Sequence, residues 1–371
     1  MMKIGLILFF AGVVISAFGD NGNRYWKDGS GVDFSPRTYT CYRATGPITI
    51  DGLPNEADWK NVPWTQDFID IEGDVRPNPP FSTRAKMLWD DDYFYVAAEM
   101  EEPHIWAKIT QRDAVIFHDN DFEVFIDPNG DTHGYYELEI NALNTVWDLL
   151  LVRPYRDGGP PVNNWDINGL KTAVHIDGTL NNANDVDRRW FVEIAIPLKA
   201  MWEFSRGQMP APGSNWRVNF SRVQWHTDVV DGEYQRQIVA ETGRLRPEEN
   251  WVWSPQGAID MHRPEMWGFV FFSGKAAGSG TETFEICPDE RVKWELRNVY
   301  YAMRRFRAMH HRYASDIQEL AEVGFNVEGL QFMPELRTGW HTYEIMAYRP
   351  GSDRRWFINA EGRTWSAGVG N

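Results

Sequence analysis

With 371 residues, 43% of them hydrophobic and 14% aromatic, the chain can bury a substantial core and has room for two domains, or one large β domain with an appendage. Its formal net charge of −16 excludes binding to nucleic acid through neutralised phosphates, and sulfated polysaccharide without an intervening metal. Eighteen tryptophans are an excess that core packing largely absorbs, although flat rings are also how sugars are held, by stacking on the C–H face of a pyranose.

The chain opens on Lys3, an apolar run over 4–14 and small residues at Ser16 and Ala17. This is the layout of a secretory signal peptide over residues 1–19, too short in its apolar run to span a bilayer. Export to an extracellular or periplasmic space, without membrane insertion, is the expectation. Residues 20–38 are a polar, Gly-rich lead-in. Over 39–272 the pattern is short strands, at "YTCYRA", "ITID", "TRAKMLWD", "YFYVAAEM", "LKTAVHI", "WFVEIAI", "NWRVNFSRVQW" and "WGFVFF", separated by Pro/Gly/Asn-rich turns. Many strands and few helices predict a mostly β fold, a β-sandwich. Cys41 and Cys287 either pair across this region or remain two free thiols.

Within it, "FHDNDFEVFIDPNGDTHGYYELEIN" (117–141) alternates on both sides of a turn. Phe122, Val124 and Ile126 share a face, as do Tyr136, Leu138 and Ile140, so a β-hairpin rests these side chains on a core. The opposite face collects Asp121, Glu123, Glu137, Glu139 and Asn141. Paired carboxylates could flank a glycosidic bond, which makes a glycoside hydrolase the alternative reading of this face. No zinc-protease helix, nucleophile elbow or dinucleotide fingerprint is present. "DPNGD" (127–131) opens like a calcium loop, but Thr132 and Leu138 stand where an EF-hand needs Gly and Glu. An Asn-Gly hairpin turn accounts for it, and leaves calcium binding elsewhere in this acidic chain open.

Residues 273–282, rich in Gly, Ala and Ser, read as a linker, and 283–371 as a small α+β domain. Val292, Leu296, Val299, Met303 and Phe306 step as an amphipathic helix, with Arg291, Lys293, Arg304, Arg305 and Arg307 on its solvated faces. Ser315 would cap a short helix ending at Gly324, and strands would follow at "YEIMAY" and "WFINAEGRTW". This layout is similar to the head domains of type IV pilin-like proteins. A protein partner for this domain, in an assembly role, is a third reading.

The ordered set "ITIDGLPNEADWKNVPW", "AKMLWDDDYFYVAAEM", "DNDFEVFIDPNG", "WFVEIAIPL", "NWRVNFSRVQW" and "WSPQGAIDMHRPEMWGFVFF" resembles the family 9 carbohydrate-binding modules first known as appendages of xylanases. The resemblance covers about 39–272. It implies a β-sandwich, non-catalytic binding of an oligo- or polysaccharide end between two aromatic rings, and structural calcium. It places Phe117 at the first ring and Glu123 and Asn141 as hydrogen-bonders to sugar hydroxyls. Glu139 stands where the family carries Arg. Met261 falls at the second ring, with His262, Trp253 or Trp267 as substitutes. The polar strand with Asn219, Ser221, Val223 and Trp225 on one face would extend the floor, and Arg222 and Gln224 are lesser candidates there.

Overall fold

Alternation of apolar and polar residues makes strands the main regular element of the chain, as that period requires. The computed structural model describes residues 32–205, 207 and 209–368; the expected signal peptide and residues 20–31 of the lead-in lie outside them. The β domain is built from β1 (Thr38–Arg43), β2 (Thr83–Trp89), β3 (Tyr93–Glu101), β4 (Asp121–Asp127), β5 (Tyr135–Asn141), β6 (Val146–Leu151), β7 (Lys171–Asp177), β8 (Arg189–Pro197), β9 (Asn215–Gln224), β10 (Glu249–Val252) and β11 (Gly268–Ala276). Hydrogen bonding runs β6-β5-β4-β9-β11-β1-β2-β3-β8-β7 without a break. This ribbon folds on itself around the parallel β11–β1–β2 ladders, and the expected sandwich results.

One core joins the two halves. Phe122, Val124, Leu138 and Ile140 from the hairpin meet Met87, Phe94, Val96, Val192 and Ile194 from β2, β3 and β8. Rings fill its width: Phe122 stacks on Phe220 at 5.7 Å, and Trp216 meets Phe272 edge-on at 5.0 Å. Each fully buried large side chain contributes roughly 1.5–3 kcal/mol, which makes the half of the hairpin facing this core its anchor.

Some expected elements differ. "ITID" forms no strand, because the backbone N–H groups of Asp51 and Gly52 donate to the buried carboxylate of Glu193 at 3.1 and 2.9 Å. Gly52, at φ +92, lies so close to β7 that a Cβ would sit 2.7 Å from the backbone N of His175. The alternation over 146–151 and the short β10 escaped the sequence reading. The hairpin loop is longer than an Asn-Gly turn, spanning 128–134. In it Asp127 accepts the N–H groups of Gly130 and Thr132, and Asn129 accepts that of Asp131. These carboxylate and amide oxygens serve the turn itself, in agreement with the turn reading of "DPNGD".

Strand β11 continues through Ala276, four residues into the stretch expected to be a linker. Beyond it, Glu282 is held by the Tyr42 hydroxyl, which accepts its N–H at 3.0 Å. Helix α1 (Asp289–His310) buries Val292, Leu296, Val299, Met303 and Phe306 as its spacing predicts, against a sheet of β12 (Glu335–Thr338), β13 (Tyr343–Ala347), β14 (Arg354–Asn359) and β15 (Thr364–Gly368). Asp316, not Ser315, caps the 3₁₀ run Gln318–Val323 by accepting the N–H groups of Gln318 and Glu319. The charged faces of α1 are only partly solvated. Arg297 is buried and donates to Thr132 Oγ1 at 2.8 Å, Lys293 reaches Gly130 O at 3.1 Å, and Arg304 reaches Asp157 at 3.1 Å. The helix is thereby bolted to the back of the hairpin loop.

Both cysteines are free thiols, Cys41 buried and Cys287 exposed. Burial pushes the Cys41 thiol well above its ordinary pKa. Titration of native protein with a thiol reagent should therefore label Cys287 alone, with the second thiol reacting only on denaturation. Two fast-reacting thiols in the native state, or none in the denatured unreduced protein, would contradict this arrangement.

Candidate sugar site on the polar face of the hairpin

The antiparallel register sets the site. Ser221 on β9, Glu123 on β4, Glu139 on β5 and Trp147 on β6 form one continuous rung across four strands. The next rung on one side is Val223, Asp121 and Asn141; on the other it is Asn219, Phe125, Glu137 and Leu149. Because successive side chains alternate, all of these lie on the face opposite the core. The short helical turn Ile116–His118 covers one end and donates the Phe117 N–H to Glu139 at 3.0 Å. At the other end Met261 packs against the cluster that holds Phe125 and Trp267, and His262 meets Phe125 edge-on at 5.9 Å.

The structure thus gathers Phe117, Glu123, Glu139, Ser221, Met261 and His262 around one face. It does not bring in the remaining candidates. Asn141 is fully buried, and its amide is saturated. Its nitrogen donates to Ile109 O and Asp119, and its oxygen accepts the N–H groups of Leu143 and Thr145. With both donors and both lone pairs engaged, it shapes the turn after β5 and has nothing left for a sugar hydroxyl. Arg222 and Gln224 sit one residue out of phase with Ser221 and therefore on the core side of β9. There Arg222 pairs with Glu102 at 2.9 Å and donates to Gln224, Thr83 and the Glu101 carbonyl. Trp253 and Trp267 are 1% and 0% exposed, so neither serves as the second ring wall.

Two rings that the sequence reading missed take part. Trp147 ends the central rung, and its Nε1 is buried without a hydrogen-bond partner. Tyr155, 45% exposed, stands edge-on to His262 at 4.4 Å, and Glu137 and Glu139 raise its pKa in addition to the burial that acts first. Trp147 carried a legible signal, since it falls in phase on an alternating run. Tyr155 lies in a turn with no period. His262 Nδ1 is 2.9 Å from the Tyr135 hydroxyl, and burial lowers its pKa to about 4, so the ring is neutral.

The floor is electrostatically unusual. Asp121, Glu123, Glu137 and Glu139 are all nearly or fully buried. Burial pushes Glu123 up to about 7, offset in part by the nearby Ser221 hydroxyl and reinforced by Glu248. Burial, then neighbouring carboxylates, pushes Asp121, Glu137 and Glu139 well above the ordinary range. Both oxygens of Asp121, one of Glu137, Ser221 Oγ and Trp147 Nε1 make no well-formed hydrogen bond, although the Val223 N–H acts on Asp121 and the Ser221 hydroxyl on Glu123. Native proteins leave few such atoms unsatisfied, so their concentration on one face sets this region apart from the rest of the described residues.

Residues 50–220 match the family model described as carbohydrate family 9 binding domain-like. No protein of curated function matches the chain. Among solved structures, a candidate carbohydrate-binding protein from Bacteroides uniformis is similar, with 16% identity over 64% of this chain and all of that one, at a TM-score of 0.46. A family 9 carbohydrate-binding module from Caldicellulosiruptor kristjanssonii, solved with glucose and with cellotriose, is also similar, at 16% identity over 67% of this chain and all of its own length, with a TM-score of 0.40. Over residues 50–220 the β domain of this chain is similar to the family 9 carbohydrate-binding domains.

Proposed function

We propose that the β domain binds neutral carbohydrate non-catalytically, as an oligosaccharide or the end of a polysaccharide, on the polar face of the β4–β5 hairpin. The observation that carries this reading is the cluster of polar atoms without a well-formed hydrogen bond at Asp121, Glu137, Trp147 and Ser221, rimmed by Phe117, Tyr155 and His262. Carboxylate oxygens accept from vicinal hydroxyls, an indole N–H donates to one, and ring faces take the apolar side of a pyranose. The family match over 50–220 supports the same reading. Export and action outside the cytoplasm belong to this proposal, through the apolar leader that opens the chain.

Calorimetric titration of the mature chain would start with glucose and cellotriose, the sugars held by the Caldicellulosiruptor module, and continue with xylo-, manno- and galacto-oligosaccharides. Saturable binding is expected, with the sugar recovered intact. Phe117→Ala should weaken it about tenfold, roughly 1.4 kcal/mol, and Glu123→Ala should abolish it. If no sugar binds, or if both variants bind like wild type, the reading is wrong. Cleavage products would move it to the hydrolase alternative.

A further inference from the structure

The structure assigns a calcium site to the same face: we propose that Asp121, Glu123 and Glu139 hold one divalent cation, with Ser221 Oγ as a neutral fourth donor. Each of the three carboxylates offers an oxygen, and these oxygens all lie within 4.8 Å of one another. Two donors on one calcium ion, each at 2.3–2.6 Å, can be at most about 4.6–5.2 Å apart, and a cage made of protein carboxylates suits calcium, which takes six to eight oxygens in flexible geometry, better than magnesium, which demands a near-ideal octahedron and keeps its waters. The set is all oxygen, without imidazole or thiolate, which selects a hard cation.

An independent observation points to an ion. Asp121 is fully buried, its oxygen faces the other two carboxylates, and neither of its oxygens makes a well-formed hydrogen bond. The charges acting most strongly on Asp121 and Glu139 are other carboxylates. A buried carboxylate without a partner is costly, and three together need either shared protons or a cation.

The other acidic groups of the described residues make the contrast. Asp113, Asp148 and Asp166 also come together, but Arg112 bridges all three as their cation. Asp127 is consumed by the backbone of its own turn. Only on the hairpin face do three clustered carboxylates lack a counter-charge among the described residues. This follows from Glu139, which stands in register with Glu123 where a basic residue would have neutralised it. A carboxylate has two oxygens, so Glu123 can serve the ion and a sugar hydroxyl together.

The test is calorimetry of full-length mature protein, stripped with EDTA and titrated with calcium chloride, then with magnesium chloride. One calcium per chain is expected, with weaker magnesium binding and a rise in melting temperature on calcium addition. Glu139→Gln keeps the shape and removes one charge; calcium affinity should fall on the order of tenfold or more, while the apo protein melts no lower than wild type because repulsion is relieved. Ser221→Ala, a smaller change, should weaken calcium several-fold and guards against a folding defect in the first variant. Asp166→Asn should leave calcium binding unchanged. No calcium binding in wild type, or equal binding in wild type and Glu139→Gln, would overturn the assignment and favour carboxyls that share protons. Running the sugar titration with and without calcium separates the two readings, since calcium heat without sugar heat sustains this site alone.

Discussion

Glu265→Ala is expected to destabilise the protein by about 3–5 kcal/mol, the range for breaking a buried ion pair by removing one partner. Glu265 sits between the β domain and α1. Its Oε2 accepts Arg156 Nη2 at 2.8 Å, Arg263 Nε lies 3.6 Å from Oε1, and the Tyr301 hydroxyl of α1 donates to it. Burial alone would raise its pKa, but Arg156, Arg297 and Arg263 overcome that and hold it well below the ordinary carboxylate range. Alanine leaves Arg156 and Arg263 charged and desolvated, which is the main source of the loss. The paired replacement Glu265→Leu with Arg156→Met should therefore cost less than Glu265→Ala alone, because it removes an orphaned charge with the bond. Urea unfolding followed by circular dichroism gives the comparison. A loss below about 1 kcal/mol for the single variant would mean that the interface admits water and does not dock α1 as tightly as its buried arginines indicate.

The second large effect is on the pH dependence of the metal-free protein. Glu123 is pushed from 4.5 to about 7 in the folded state. Below its unfolded value it is protonated in both states and its contribution to stability is whole. Between the two values only the unfolded chain releases the proton, so stability falls as pH rises and the loss is complete above the folded value. A shift of this size corresponds to about 3 kcal/mol, and Asp121, Glu137 and Glu139, which face Glu123 and shift the same way, add to it. Glu265 acts oppositely, losing stability only in strong acid. With EDTA present, the urea midpoint should peak near about pH 5 and drop steadily to about pH 8. Calcium should restore most of the drop if it binds as proposed, and Glu123→Gln should make the drop shallower without any ion, leaving the part that the other buried carboxyls, Asp127 and Glu193 among them, contribute. A chelated profile that is level or rising over that range would show that these carboxyls are solvated or paired in solution.

Period-two alternation was enough to find the hairpin, its core face and its carboxylate face, since side-chain direction in a strand follows from the backbone itself. The same holds for the spacing of Val292, Leu296, Val299, Met303 and Phe306 on α1. That Glu123, Glu139 and Ser221 share one face was legible because they lie in phase on strands that pair. The alternation also identified which strand face carries Arg222 and Gln224, yet they were considered for the site, and the register places them firmly behind it.

What the chain alone determined, then, is the direction of each side chain from its strand or helix, a local property of backbone geometry and residue type. What only the tertiary structure decided is where distant partners arrive. Asn141 looked like a sugar ligand until the loops at Ile109, Asp119 and Thr145 took up its whole amide. Lys293 and Arg304 looked solvated until the hairpin loop and Asp157 met them. Trp147 and Tyr155 joined the site through pairing and loop closure. A hydrogen bond or ion pair between residues far apart in sequence has no periodic signature, because its partner is set by how the layers pack and not by the neighbours along the chain.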